Sequence, residues 1–451
     1  MPKNVNENAT ENKYENKSYR TLVLLLLTLI YAFNFIDRQI IGILSPFIQE
    51  DLGLTNTQLG LLKGIVFALF YTVIAIPIAW LADRYNRVTI ISTSLGIWSL
   101  FTALTGMAGG FLQIGLARIG VGVGEAGGSP PSHSIISDLY PKEERSGALA
   151  IYALGIPLGL GFAYFVAGFA LGNPNSNFDW RNLLIWLGIA GVGLAVITRL
   201  VVREPKRGMQ EAKTSGKPPS APPFKKALGV LLTIPSWWAM CFGIAFASFA
   251  GYAFSTWQMD YLLPFDGQAE SPVGFKTMMY TLGLINMIAY GFGTWLGGYL
   301  ADRFAKKNNN VRAYAFIPAL TVICALPLAI LSFWVSTVWA HMAIISVFVV
   351  FLGMYLGPSF AIAQTLAPVN MRAMSTALFF LILNIIALGG GPTVVGILVD
   401  VFEPANGKVQ AIRISMSMVS VSFVLSAISF MIAAKKLPKD WADAEKRNEG
   451  S

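Results

Sequence analysis

"LADRYNR", Leu81–Arg87, returns 219 residues later as "LADRFAK", Leu300–Lys306. Each copy ends a long apolar run with a short charged turn. A motif repeated in the same context at that distance marks a tandem duplication, and the surroundings say of what. About 20 apolar residues cross the hydrocarbon of a bilayer. Six such runs lie in each half: 21–47, 57–81, 89–109, 112–138, 146–172 and 182–202, then 235–263, 274–300, 312–334, 337–367, 373–400 and 411–434. Both copies of the motif close the second span of their half. The expectation is an all-α membrane protein of 12 transmembrane helices in two six-helix halves related as parallel repeats.

Composition agrees. The chain of 451 residues is 55% hydrophobic and 13% charged, its mean hydropathy is +0.58, and a water-soluble domain carries about 25% charged residues. A net charge of +9 invites a nucleic-acid reading, but the placement of the basic residues argues against it. With both termini cytoplasmic, 26 of the 33 Lys and Arg fall on the cytoplasmic side, and Arg181, Lys276, Lys408 and Arg413 fall outside. That bias is the positive-inside rule, which sets orientation and leaves no basic patch for nucleic acid.

The domain reading follows. Residues 1–20 form a disordered cytoplasmic tail, 21–202 the N-terminal half, 203–234 a basic, Pro- and Ser-rich cytoplasmic linker, 235–434 the C-terminal half, and 435–451 a second cytoplasmic tail. The polar segment up to Tyr19 lacks a short apolar region ending at a small-residue cleavage site, so no cleavable signal peptide is expected. Cys241 and Cys324 lie inside spans, where they read as small buried apolar residues rather than a disulfide.

Charges inside the spans carry the chemistry. A charge at the centre of a membrane helix costs several kcal/mol even on lenient scales, so a chain that keeps one uses it. "YAFNFIDRQIIGIL", Tyr31–Leu44, sets Asp37 beside Arg38, and "LARIGVGVGEAGGSPP" in span 4 carries Arg118 and Glu125. These last two are seven residues apart, two helical turns, and so share a face that the intervening glycines keep open. Their depths suggest that Asp37 or Glu125 pairs with Arg118. A pair that is made and broken carries protons or holds an anion; a fixed pair would only pin span 1 to span 4. His133, near the cytoplasmic end of span 4, is a candidate relay, while His341 reads as structural. No metal-ligand spacing, nucleophile constellation or phosphate loop appears, so neither a metal, a cofactor nor an enzyme is expected.

Two resemblances sharpen this. "AWLADRYNR", Ala79–Arg87, resembles the signature loop of the major facilitator superfamily, with Asn86 where that family usually has Gly. The resemblance implies the major facilitator fold, a substrate site near the midplane between the halves, and a cytoplasmic latch in which the loop's Asp braces a helix N-terminus of the other half. By that analogy Asp83, with Arg84 and Arg87, faces the start of span 11 near Arg372. Asp302, with Arg303, faces the start of span 5 near Arg145. "FIDRQ" in span 1, together with residues 117–164, "ARIGVGVGEAGGSPPSHSIISDLYPKEERSGALAIYALGIPLGLGFAY", resembles the Spinster family of that superfamily. The match is dense through the first six spans and thins in the second half. After Glu125-Ala126 the chain has Gly127-Gly128 where animal relatives tend to have Ser-Tyr, which bears on headgroup preference. Spinster proteins export lipids or carry them coupled to protons. The resemblance therefore implies a bacterial homologue in the inner membrane whose substrate is an anionic amphiphile of lysophospholipid or sphingoid-phosphate type. "GIPLGLG", residues 155–161, further resembles a motif of antiporting facilitators, where small residues let helices 5 and 8 approach.

A secondary transporter accounts for the duplication, the buried charges and the signature loops together. In it Asp37 and Glu125 are proton-coupling residues, and Arg38 and Arg118 bind substrate or pair with them. The partners expected are the lipid or small-molecule substrate, protons and membrane lipids, around a monomer. The lipid reading also rests on an asymmetry, since spans 7, 10 and 11 contain no Lys, Arg or Glu in their cores and offer runs such as "ALFFLILNIIALGGG", Ala377–Gly391. The rival is a proton-coupled transporter of sugar acids or other small organic anions, with Gln364, Asn384 and Asn286 supplying polar contacts.

Overall fold

The computed structural model describes residues 16–172, 179–207, 209, 224–268, 273–308, 310–368 and 371–449, and every regular element among them is helical. Twelve long helical spans follow the expected order. They are α1 (Lys17–Leu52), α2 (Asn56–Lys63 and Ile65–Ala82), α3 (Arg87–Gly106), α4 (Phe111–Glu125 and Ser129–Leu139), α5 (Lys142–Ala153 and Gly155–Leu171) and α6 (Trp180–Val201). After a short linker helix, Phe224–Leu232, come α7 (Pro235–Gly267), α8 (Phe275–Asn308 with a π turn at Ile285–Ala289), α9 (Ala313–Trp334) and α10 (Val338–Met354 and Leu356–Thr365). The last two are α11 (Arg372–Asn406 with a π turn at Asn384–Gly390) and α12 (Lys408–Ser420 and Ser422–Glu449). Ten of these are long and apolar enough by composition to cross a membrane. α4, which carries Arg118 and Glu125, and α8 are not among the ten.

Local chemistry explains where the helices start. Thr55 and Gln58 form a reciprocal capping box at the head of α2, Asn86 caps α3 by accepting from the Thr89 amide at 2.8 Å, and Asp179 does the same for α6. The charged ends differ from the expected tails. α1 begins at Lys17, inside the stretch read as disordered, and α12 runs on to Glu449. The α12 extension is docked: Asp440 accepts from the Ser236 amide at 2.8 Å, and Trp441 stacks on Tyr314. Residues 1–15, 173–178 and 210–223, which include the middle of the linker, lie outside those described.

Contacts group the chain into two units whose border departs from chain order. The first joins the residues up to Ile40 with those from Leu69 to the linker; the second joins Ile41–Ala68 with the chain beyond the linker. In the first unit α6 lies along α3, since a Cβ at Gly188 would sit 2.5 Å from Ser99 O. In the second, α12 closes on α7 at Gly243, whose Cβ would lie 2.6 Å from the Phe430 ring and whose carbonyl accepts from Ser426 Oγ at 2.6 Å. Large apolar side chains such as Phe169 (81% exposed) and Leu200 (78%) face outward, as a hydrocarbon solvent requires. Cys241 and Cys324 are free thiols.

Candidate functional site

The site in the first unit is built around a break. α4 stops at Glu125, turns through Ala126-Gly127-Gly128 and restarts at Ser129, where Pro130 and Pro131 fit because the first amides of a helix need no intrahelical partner. The turn stays satisfied: the Gly127 amide donates to Gly124 O at 3.2 Å and that of Gly128 to Glu125 O at 3.1 Å. Irregular backbone at membrane depth survives only where protein encloses it, and Gly124, Ala126, Gly127 and Gly128 are all buried. The glycines before the break do not hold a face open. A Cβ at Gly124 would lie 2.6 Å from Trp98 N, and Gly120 receives the Phe101 ring, so they let α3 pack directly on α4.

Glu125 is 2% exposed, Asp37 1% and Arg118 3%. Arg38 Nε donates to Glu125 Oε2 at 2.7 Å, and its side chain keeps 14% exposure while that of Glu125 has none. The neighbour of Arg38 points elsewhere: Asp37 accepts from Thr102 Oγ1 of α3 at 3.1 Å. Successive residues on a helix are turned by about 100°, so an Asp-Arg dipeptide serves two different neighbours. Arg118 acts electrostatically on both carboxylates. The expectation set Arg118 opposite the acids; the structure brings Arg38 to Glu125 as well, and Arg38 is the cation of the four with residual access. Around it stand aromatic faces. Its guanidinium lies 4.4 Å from the Tyr71 ring and 5.3 Å from Phe35, Tyr31 stacks on Tyr152 at 4.5 Å, and His133 meets Tyr152 edge-on at 5.1 Å. Gln39 donates to the buried Tyr164 hydroxyl at 3.1 Å.

The residues expected to gate fall at the LADR end. Arg87 is buried, with ion pairs to Asp138 at 2.5 Å and Glu204 at 2.6 Å, and it donates to Ser134 Oγ and Pro205 O. Glu204 also accepts from the Val88 amide, so this cluster ties the start of α3 to α4 and to the chain leaving α6. Arg84 lies over Trp80 at 3.9 Å, Arg145 donates to Ser137 O at 2.8 Å, and Asp83 is exposed. Asp302, also exposed, accepts from the Tyr314 hydroxyl at 2.7 Å, and Arg303 donates to that of Tyr299 at 2.9 Å. Arg372 opens α11, and its side chain lies outside those described. Of the helix 5 motif, Gly155 and Gly159 pack on α1, against Tyr31 and Ala32. His341 is buried, its Nδ1 2.6 Å from Ser332 O. Asn286 spends its amide on Leu282 O at 2.9 Å, Asn384 is buried and Gln364 is exposed.

Sequence reasoning missed one charge pair. Lys63 Nζ of α2 meets Asp260 Oδ2 of α7 at 2.5 Å, with neither side chain exposed. Both residues stood in or at the ends of spans. A search for every acid within a span, Asp included, would have flagged Asp260.

The chain matches the Major Facilitator Superfamily over residues 27–392. It is 29% identical over 419 residues to an MFS-type efflux pump of Mycolicibacterium smegmatis, covering 92% of each chain. It is 27% identical over 443 residues to a probable galactarate/D-glucarate transporter of Bacillus subtilis, covering 90% of this chain and 92% of that one. It is 28% identical over 463 residues to protein spinster homolog 1 of Xenopus tropicalis, covering 96% and 84%. Among solved structures, a bacterial homologue of the human lysosomal transporter Spinster, in an inward-facing and unoccupied conformation, matches with a TM-score of 0.81 at 28% identity, over 94% of this chain and 99% of that one. This chain belongs to the Major Facilitator Superfamily of membrane transporters, and Spinster proteins are among its relatives in sequence and structure.

Proposed function

We propose that the protein is a proton-coupled transporter that moves an anionic amphiphile by alternating access, with Arg38 receiving the anion and Glu125 and Asp37 handling the proton. One observation carries the reading: the buried Glu125 is paired with an arginine that keeps access and is walled by aromatic rings. A substrate anion that draws Arg38 away leaves Glu125 charged and buried without its cation. That state is costly, and a proton relieves it. Substrate binding and proton uptake are thereby tied together, with Arg118 holding charge beside both acids. The aromatic faces around Arg38 suit an acyl chain, which gains about 0.8 kcal/mol per methylene removed from water.

A second reading has specific support, since relatives over most of the chain include a probable galactarate/D-glucarate transporter. A sugar acid would use Arg38 for its carboxylate and the Tyr71, Tyr31 and Phe35 rings as stacking platforms. Binding to the purified protein separates the two. Saturable, Arg38-dependent affinity for a lysophospholipid with none for galactarate supports the lipid reading, and the reverse pattern overturns it. Substrate-driven acidification or alkalinisation in proteoliposomes tests the coupling.

The same reading places the protein in a bacterial inner membrane as a monomer, with both termini, the linker and the LADR loops cytoplasmic, supported by the distribution of basic residues. Met107→Cys and Lys306→Cys, both at exposed positions, should then label from opposite sides of an oriented membrane. By analogy with the signature loop, Asp83 and Asp302, exposed in this structure, would serve with Arg84, Arg87, Arg303, Arg145 and Arg372 as a cytoplasmic latch.

A further inference from the structure

In a transporter built from two repeats, alternating access rocks one repeat against the other. Residues 41–68 belong by chain order to the first repeat, yet they group with the helices of the second. These residues are the ends of α1 and α2 far from the LADR loops, and whatever holds them to α7 and α11 must release when that side opens. Packing there is close. A Cβ at Gly60 would lie 2.8 Å from Pro392 O, and one at Gly64 would lie 2.5 Å from Gly389 O.

Two charged contacts sit on this seam. At the buried one, Asp260 Oδ2 takes both Lys63 Nζ, at 2.5 Å, and Ser45 Oγ, at 2.8 Å, while Trp257 presents its ring 3.8 Å beneath the ammonium and donates its own Nε1 to Pro392 O. Asp260 Oδ1 is buried with no hydrogen bond from any described residue. At the rim, Asp400 of α11 accepts from the Asn56 and Thr57 amides at 3.0 and 2.7 Å and from Asn56 Nδ2 at 2.8 Å, which places a carboxylate on the positive end of α2. Glu403 takes the same Asn56 amide group, and Lys408 reaches Gln49 Oε1 at 2.6 Å.

We propose that Lys63 and Asp260, with Asp400 on the first turn of α2, form the latch that keeps the far side of the transporter closed, and that it holds by charge complementarity. A buried pair with one unsatisfied oxygen suits this task better than an apolar plug does. Replacing both charges by well-packed apolar groups is often neutral or stabilising, whereas losing one leaves an uncompensated buried charge that forces the seam apart. The latch is therefore strong when complete and unstable when half complete.

Thiol labelling tests this in protein whose Cys241 and Cys324 have been replaced by Ala. Leu59→Cys, buried at 1% between Asn56 and Lys63 on one face of α2, reports far-side opening, and His133→Cys, at an exposed position on α4, reports the LADR side. Labelling with a membrane-impermeant maleimide should be slow at residue 59 and fast at residue 133. With Lys63→Met or Asp260→Asn, the rate at 59 should rise about tenfold while that at 133 falls; the pair Lys63→Met/Asp260→Asn should return both towards the parent. Asp400→Asn should raise the rate at 59 by a smaller factor. Unchanged labelling in both single variants overturns the latch, as does a rise at both positions together, which would mean loss of folding rather than a change of state. A double variant that labels residue 59 as fast as the singles overturns the role of charge matching.

Discussion

Two buried ion pairs of this molecule, Arg38–Glu125 and Lys63–Asp260, are alike in distance and differ in what surrounds them. Arg38–Glu125 has a cation with 14% exposure, a second acid and a second arginine within electrostatic range, and aromatic rings beside the guanidinium. Lys63–Asp260 has no exposure on either partner, a serine on the same oxygen and a tryptophan under the ammonium. The first is arranged to exchange partners with something that arrives from outside the protein. The second is arranged to exchange nothing, only to be whole or broken. On the roles proposed above, access more than pairing distance divides the coupling site from the latch.

The sharpest way to break this contrast is to remove the cation of the first pair. Arg38→Met should destabilise the protein by about 3–5 kcal/mol, because it strands a buried carboxylate, and should abolish transport. Adding Glu125→Gln to it should recover the stability and leave transport absent. Thermal unfolding in detergent with a parallel uptake assay measures both. Recovery of transport in the double variant would make the pair a mere brace, like a fixed link between α1 and α4.

Next in size, Glu125→Gln alone should keep the fold, since the amide still accepts from Arg38, while transport loses its response to pH. Uptake measured across a range of external pH decides it, and a full response in the variant removes Glu125 from the coupling. Smaller still is the backbone support. Gly124→Ala puts a Cβ 2.6 Å from Trp98 N, so it should cost about 1–3 kcal/mol by overpacking. Gly147→Ala, which meets open space, should cost nothing. The smallest effect belongs to Thr102→Val, which deletes the hydroxyl donated to Asp37 and should lower stability by about 1 kcal/mol. Its transport at saturating proton concentration should match the parent.

The sequence alone determined the duplication, the twelve spans and which ionisable residues of the first half lie within them. All three rest on local information: an apolar run long enough to cross a bilayer, a motif repeated in the same context, and a charge where charge is expensive. Resemblance to the signature loop also suggested a carboxylate set on a helix N-terminus, for Asp83 and Asp302 on the LADR side. Only the tertiary structure decided that Asp400 applies the same idea at the far end of α2. The choice of Arg38 as the partner of Glu125 depended on how α1 is rotated about its axis, which apolar periodicity leaves open when a helix is apolar on most faces. The meeting of Lys63 with Asp260 depended on bringing together residues 197 positions apart. No local pattern reports such a distance in space, and the close packing of α2 on α11 through Gly60 and Gly64 accompanies it.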